Sequence, residues 1–201
     1  MFTNELSAAL HVLHPLSKAY QAILEDDNFS LQKTIRKDDM LLMPGMDTDR
    51  LIYMPRGCCK IYWLDNDNEE HPFMYLGNGD FIILPDTVCI GQRNEDLYIR
   101  MLTDSDIWIL QGKQMMDVYA AHPEASVHKA LISKKLVNLR DQHVLMLMRK
   151  ECDRYAYFVK VFQYVYKMQL TEKELCRFMN ICRRTLSKGK TNWLLKDRKR
   201  R

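Results

Sequence analysis

Five side chains crowded into six positions near the C-terminal end, Arg183, Arg184, Thr185, Ser187 and Lys188, are of the types that grip a polyanion and read hydrogen-bonding edges. The planar fork of arginine matches guanine O6 and N7 in the major groove of duplex DNA. A lysine ammonium is a point charge suited to phosphate, and Ser and Thr hydroxyls bond to bases or backbone. Lys190, Lys196 and the terminal run KDRKRR extend the same positive strip and are the expected phosphate contacts. The same residue types also suit the solvated face of a basic amphipathic helix, so their placement has to decide.

The stretch that must position them is LTEKELCRFMNICRRTLSKGK, from Leu170 to Lys190. Thr171 and Glu174 have the spacing of a capping box, which fixes where a first helix begins. Leu175 and Met179 then share a face, and Cys176 offers a small side chain where a second helix could approach. Asn180 falls where the chain must turn, and asparagine tolerates the left-handed conformation better than most residues. Ile181 anchors the turn, and a second helix from Cys182 turns Leu186 inward and the five polar residues outward. That is the pattern of a helix-turn-helix, whose second helix offers its N-terminal side chains to the groove. Two residues disagree with it. Cys182 is a poor N-cap, and Gly189 costs a helix interior about 1 kcal/mol relative to alanine.

The charge distribution agrees with a polyanion at one end. The 201 residues carry a net charge of +4, but residues 1–148 hold 14 Lys and Arg against 21 Asp and Glu, a balance of −7. Residues 149–201 hold 16 against 5, a balance of +11. A basic C-terminal quarter behind an acidic body is the electrostatic footprint of a nucleic-acid binder. The six cysteines show no CxxC spacing and the six histidines are scattered, so reduced thiols, no metal site and no cofactor are expected. No apolar run approaches the ~20 residues of a membrane span. The start, MFTNELSAALHVLHPL, has an acid and no early cation, unlike a signal peptide. A cytoplasmic protein without membrane contact is expected. No Gly-rich phosphate loop, nucleophile elbow or metal-ligand set points to an enzyme.

The segment PLSKAYQAILEDD has helical spacing. From Phe29 to Leu110 the pattern changes to short apolar runs, DMLLM, RLIYMP, CCKIYWLD, PFMYL, DFIIL, LYIRML and DIWIL, separated by turn residues. Such strands at this frequency indicate an antiparallel sandwich or barrel. After Gln111 the strands stop. KQMMDVYAAH predicts a short helix closed before Pro123, and EASVHKALISKKLVNLRDQHVLMLM a long one without Gly or Pro. Ile132, Leu136, Leu139, His143 and Met146 follow three- and four-residue steps along one face. Leu131, Val137, Val144 and Met148 widen the apolar surface, so this helix is expected to bury two faces, one on its own sheet domain and the other against a twin or, on the same pattern, within the monomer. CDRYAYFVKVFQYVYKMQ continues as helix, with Tyr155, Phe158, Phe162 and Val165 as core.

This order, a β domain, a long helix and a terminal helix-turn-helix, resembles the Crp/Fnr family of transcription regulators, related to the cyclic AMP receptor protein and the fumarate–nitrate regulator. The resemblance runs from about Leu16 to Leu195. DDMLLMPGMDTDRLIYMPRGCCKIYWLDNDNEE follows that family's early strands, including Gly57 before a strand. GNGDFI resembles the entry to its phosphate-binding cassette, and LTEKELCRFMNICRRTLSKGK its DNA-reading element. The resemblance implies an α+β protein: an N-terminal antiparallel β jelly-roll of the cyclic-nucleotide-binding type, a long dimerisation helix and a C-terminal helix-turn-helix domain. The expected boundaries are 1–112, 113–148 and 149–201.

Where the cyclic-nucleotide binders carry Gly-Glu for the ribose, this chain has Ile83-Leu84, and where they carry Arg-Ser for the phosphate it has Glu95-Asp96, with Arg93 nearby. Two carboxylates repel a phosphate, so a degenerate pocket that does not respond to cyclic nucleotides is expected. No cysteine precedes Cys58, which disfavours an N-terminal iron–sulfur cluster. The family's Gly-rich hairpin before the helix-turn-helix is replaced by apparent helix, implying a wingless DNA-binding domain. The resulting expectation is a homodimeric, sequence-specific DNA-binding transcription regulator. Its implied partners are double-stranded DNA, a second copy and RNA polymerase. The alternative is a dimeric β-roll protein that binds a partner or small molecule and has lost DNA binding.

Overall fold

The computed structural model describes residues 4–26, 28–46, 50–83, 94–168 and 170–198. The chain divides into two compact units, one of residues 1–60 with 76–137, the other of residues 61–75 with 138–201. This division differs from the expected boundaries. The arm at residues 61–75 groups with the C-terminal helices rather than with the β domain, and the long helix is shared between the units.

Among the described residues eight strands follow in sequence: β1 (Ser30–Ile35), β2 (Met40–Leu42), β3 (Arg50–Arg56), β4 (Cys59–Leu64), β5 (Glu70–Leu76), β6 (Asp80–Ile82), β7 (Tyr98–Met101) and β8 (Ser105–Gln111). They form two four-stranded sheets in the orders β1-β8-β3-β6 and β2-β7-β4-β5. This eight-stranded double-sheet arrangement is a jelly roll. The pairs β1–β8, β2–β7, β3–β6 and β3–β8 are antiparallel. Each of the seven apolar runs marks one strand. The eighth, β1, pairs with β8 from Ser30↔Leu110 to Ile35↔Ser105. It lies at a sheet edge with Leu31 to Thr34 exposed. A strand buried on neither face leaves no alternation to detect.

Gly57 shows why one turn is glycine. Its φ is +134°, and a Cβ there would lie 2.0 Å from Ser105 Oγ. Only a residue without a side chain fits that backbone and that space.

Two N-terminal helices, α1 (Glu5–Leu13) and α2 (Lys18–Leu24), open the first unit, capped by the Asn4 and Ser17 side chains. The first of them was not apparent in the sequence. The Nε2–H of buried His128 donates to His14 O (2.9 Å), and the Tyr20 ring stacks on His122.

The remaining helices are α3 (Gly112–Ala121), α4 (Pro123–Leu147), α5 (Glu151–Val161), α6 (Gln163–Lys167), α7 (Glu172–Met179) and α8 (Arg183–Arg198). Pro123 opens α4 at the position where its missing N–H costs nothing. In the second unit Phe178 is the centre of an aromatic core, meeting Tyr75, Phe158 and Phe162 edge-on and His143 face-on. Tyr155, Phe158, Phe162 and Val165 are all buried, as their spacing indicated. Helices α5 and α6 precede α7 where the sequence indicated helix, and no strand follows β8 among the described residues.

Candidate nucleic-acid interface

The helix pair α7–α8 is built as the spacing predicts at its first cap and its turn. Thr171 Oγ1 accepts from Glu174 N (3.2 Å). Asn180 adopts φ 47°, ψ 59°, the left-handed conformation, and its N–H reaches back to the carbonyls of Cys176 and Arg177. Ile181 N donates to Cys176 O (3.0 Å). Phe178, Met179, Ile181 and Leu186 are buried, locking the turn from inside.

Neither residue that disagreed with the motif prevents α8 from forming. Cys182 sits immediately before α8, with its sulfur 3.2 Å from Thr185 Oγ1. Hydrogen bonds from the Thr185 hydroxyl and the Thr185 and Arg184 N–H groups hold its thiol below the ordinary range. The 3.2 Å sulfur contact is with a side chain, so Cys182 remains a weak cap, yet α8 forms from Arg183 onward. Gly189 lies inside α8 and does not end it. A Cβ on Gly189 would lie 2.7 Å from Tyr155 Cβ, so the glycine is where α8 crosses α5.

Of the expected reading residues, Arg183, Arg184, Ser187 and Lys188 are exposed, and Thr185 is half-buried beside Cys182. The Arg183 side chain is 85% exposed, yet its Nε donates to Glu172 Oε2 at 2.9 Å. Lys190 Nζ meets the other oxygen of the same carboxylate at 2.8 Å. Lys190 and then Arg183 hold the Glu172 carboxyl below its usual range. Lys190, expected on phosphate, is therefore engaged on the protein. The side chain of Lys196 lies outside what is described.

Three supporting contacts escaped sequence reasoning. The Arg154 guanidinium donates to Leu147 O (2.8 Å), Arg149 O (3.0 Å), Met179 O (3.0 Å) and Asn180 O (2.6 Å). It thereby caps the C-terminal ends of α4 and α7 with one side chain. The hairpin arm holds α7 as well: Arg177 pairs with Glu69 and Glu70, and Tyr75 OH donates to Glu174 (2.7 Å). His143 Nε2–H donates to Phe178 O (2.7 Å) beneath the same helix. All three join residues far apart in sequence, so no local spacing rule signals them.

Elsewhere the placements differ from expectation. Ile132, Leu136, His143 and Met146 are buried within the single chain, and Leu139 is half-buried. These five residues of the expected dimerisation helix thus form its inner face, and His143 stacks on Phe178 of the chain's own core. The large apolar residues of α4 that remain exposed are Val127, Leu131, Val144 and Leu145, with Met148 just beyond it. Ile83 is buried. Glu95 and Asp96 form an exposed turn closed by Asn94, whose side chain bonds to both N and O of Leu97. Leu84 and Arg93 lie outside the described residues. Of the five described cysteines, all free thiols, only Cys58 and Cys59 are buried, and burial pushes the Cys58 thiol up to about 12. No described helix is long and apolar enough to cross a membrane.

No protein-family model matches the chain, and no curated protein matches its sequence. Solved structures do. A protein from Eubacterium rectale ATCC 33656 assigned to the Crp/Fnr family of transcriptional regulators superimposes with a TM-score of 0.72 at 13% identity, covering 94% of this chain and 88% of that one. A CooA variant from Carboxydothermus hydrogenoformans gives 0.69 at 16% identity, covering 94% and 84%. A cyclic nucleotide-binding domain containing protein from Listeria monocytogenes EGD-e gives 0.68 at 9% identity, covering 96% and 92%. At such identities the likeness is one of fold. The chain has the α+β fold of the Crp/Fnr regulators, and the resemblance drawn from its motifs holds at that level.

Proposed function

We propose that this protein is a sequence-specific duplex-DNA-binding transcription regulator that works as a dimer, without catalysis. The observation that carries the reading is the α7–turn–α8 unit: a left-handed Asn180, a buried Ile181–Leu186 anchor, and Arg183, Arg184, Ser187 and Lys188 exposed along the start of α8. The fold shared with Crp/Fnr regulators and the basic C-terminal quarter support it. Its output would pass through RNA polymerase, the further partner that the resemblance implies. Loss of DNA binding, the alternative, drew on Cys182 and Gly189; against it, α8 forms despite the weak cap, and Gly189 lies within it at the approach of Tyr155. Dimerisation would use the outer side of α4, where Val127, Leu131 and Leu145 line up at helical spacing, rather than its buried face.

The test is binding of purified protein to mixed-sequence duplex DNA over a range of salt. The logarithm of affinity should fall linearly with the logarithm of salt, with a slope near −0.9 per neutralised phosphate. Binding that is absent, or indifferent to salt, would remove the proposal. Cyclic AMP and cyclic GMP are proposed not to act, because Ile83 is packed in the core and no acid stands beside it at position 84. Titration calorimetry with either nucleotide should show no saturable heat; saturable binding at micromolar concentration would overturn this part alone.

A further inference from the structure

Glu172 is the first residue of α7, at an end where the helix dipole favours a carboxylate. Its two oxygens are divided between two cations of α8. Lys190 Nζ holds Oε1 and Arg183 Nε holds Oε2, at 2.8 and 2.9 Å. Arg183 and Lys190 are seven positions apart, two turns, so they lie on one side of α8. Lys190 is the more sheltered, at 35% side-chain exposure against 85% for Arg183. The chain Lys190–Glu172–Arg183 therefore runs from an anchored cation, through a fixed carboxylate, to an arginine reaching into solvent.

Which nitrogen of Arg183 is used matters. Glu172 takes the inner Nε–H, leaving the terminal Nη pair, the end of the fork that can bond guanine O6 and N7 together. Resting on Glu172 also limits the rotamers of a side chain that must otherwise be ordered on binding. The pairing has a second consequence. An arginine already neutralised by a carboxylate gains little from a phosphate, so the same contact weakens sequence-independent binding.

We propose that Glu172 is a specificity-determining positioning residue: it presents the Arg183 fork to a guanine while withholding its charge from phosphate, and Lys190 serves as its anchor. This rests on the DNA-binding reading above. The roles of Arg183 and Lys190 are thereby different from those of Arg184 and Lys188, whose cations face solvent.

The experiment first selects preferred duplexes from a random library with the wild-type protein. Fluorescence anisotropy then compares a selected duplex with a scrambled one for wild type, Glu172→Ala, Glu172→Gln, Arg183→Ala, the Glu172→Ala/Arg183→Ala double variant and Glu151→Gln, an exposed acid of α5 as charge control. Glu172→Ala should lose about threefold to tenfold on the selected duplex, the range of one side chain's ordering cost, while affinity for scrambled DNA holds or rises. Glu172→Gln keeps an acceptor for Nε–H and should recover part of the preference. The double variant should be no worse on the selected duplex than Arg183→Ala, and both single alanine variants should relax the same guanine position.

Equal gains on both duplexes, matching Glu151→Gln, would reduce Glu172 to a repulsive surface charge and overturn the inference. Equal losses on both, with a lowered melting temperature, would make it a structural residue and overturn it as well. Neither outcome touches the DNA-binding reading, which fails separately if the wild-type protein enriches no sequence and shows no salt-dependent binding.

Discussion

Gly189 of α8 and Tyr155 of α5 meet so closely that a Cβ on the glycine would stand 2.7 Å from the tyrosine Cβ. The obstructing atom is the root of a buried side chain, not a flexible tip, so relief requires a shift of one helix. Gly189→Ala should destabilise the helical unit by about 1–3 kcal/mol despite alanine's better helix propensity. Urea denaturation followed by far-UV circular dichroism gives the sign directly. A stabilised alanine variant would show that α5 and α8 do not cross at this point.

Arg154 should matter more than its half-exposed position suggests. Its guanidinium satisfies carbonyls of Leu147, Arg149, Met179 and Asn180, the last of these the left-handed turn residue itself. Arg154→Ala leaves helix C-termini without that partner and should cost about 2–3 kcal/mol. Lysine lacks the planar fork, so Arg154→Lys should restore less than half of the loss. Full restoration by lysine would mean that charge alone suffices there.

The buried His143 links stability to pH. Its Nε2–H donates to Phe178 O, and desolvation lowers its pKa below the ordinary value, partly offset by that hydrogen bond. The unfolded chain therefore takes up a proton at a higher pH than the folded one. Stability should be full above about pH 6.5 and decline as pH falls from there toward the folded pKa. His128 shifts in the same direction and adds to the slope. The His143→Gln variant, weaker at neutral pH, should show a shallower decline. An equally steep decline would assign the effect to other groups.

Arg184 and Lys188 separate reading from gripping. If Arg184 reads a base edge, Arg184→Ala should cost about 1–3 kcal/mol on a selected duplex, relax one position and change random binding little. Lys188→Ala should weaken all duplexes alike and reduce the salt slope by about one phosphate. Equal losses on selected and random DNA for Arg184→Ala would make it a phosphate contact.

The sequence by itself determined the elements whose signals are local. Short apolar runs bounded by turn residues marked seven strands, since each carries a stretch buried in the core, in β3 and β4 on both faces. Thr171, Asn180 and Ile181 marked the start of α7 and the turn into α8, because capping and a left-handed turn are settled within a few residues. The strand β1 was silent because its exposed edge position demands no pattern. Only the tertiary structure decided which face of α4 is inner, since its apolar residues surround more than one face and the choice belongs to Phe178 and its neighbours. It alone also decided why Gly189 is glycine, what Arg154 caps and where Glu172 points. Each of these depends on two segments meeting across a turn or a helix crossing, a distance that no periodicity along the chain can encode.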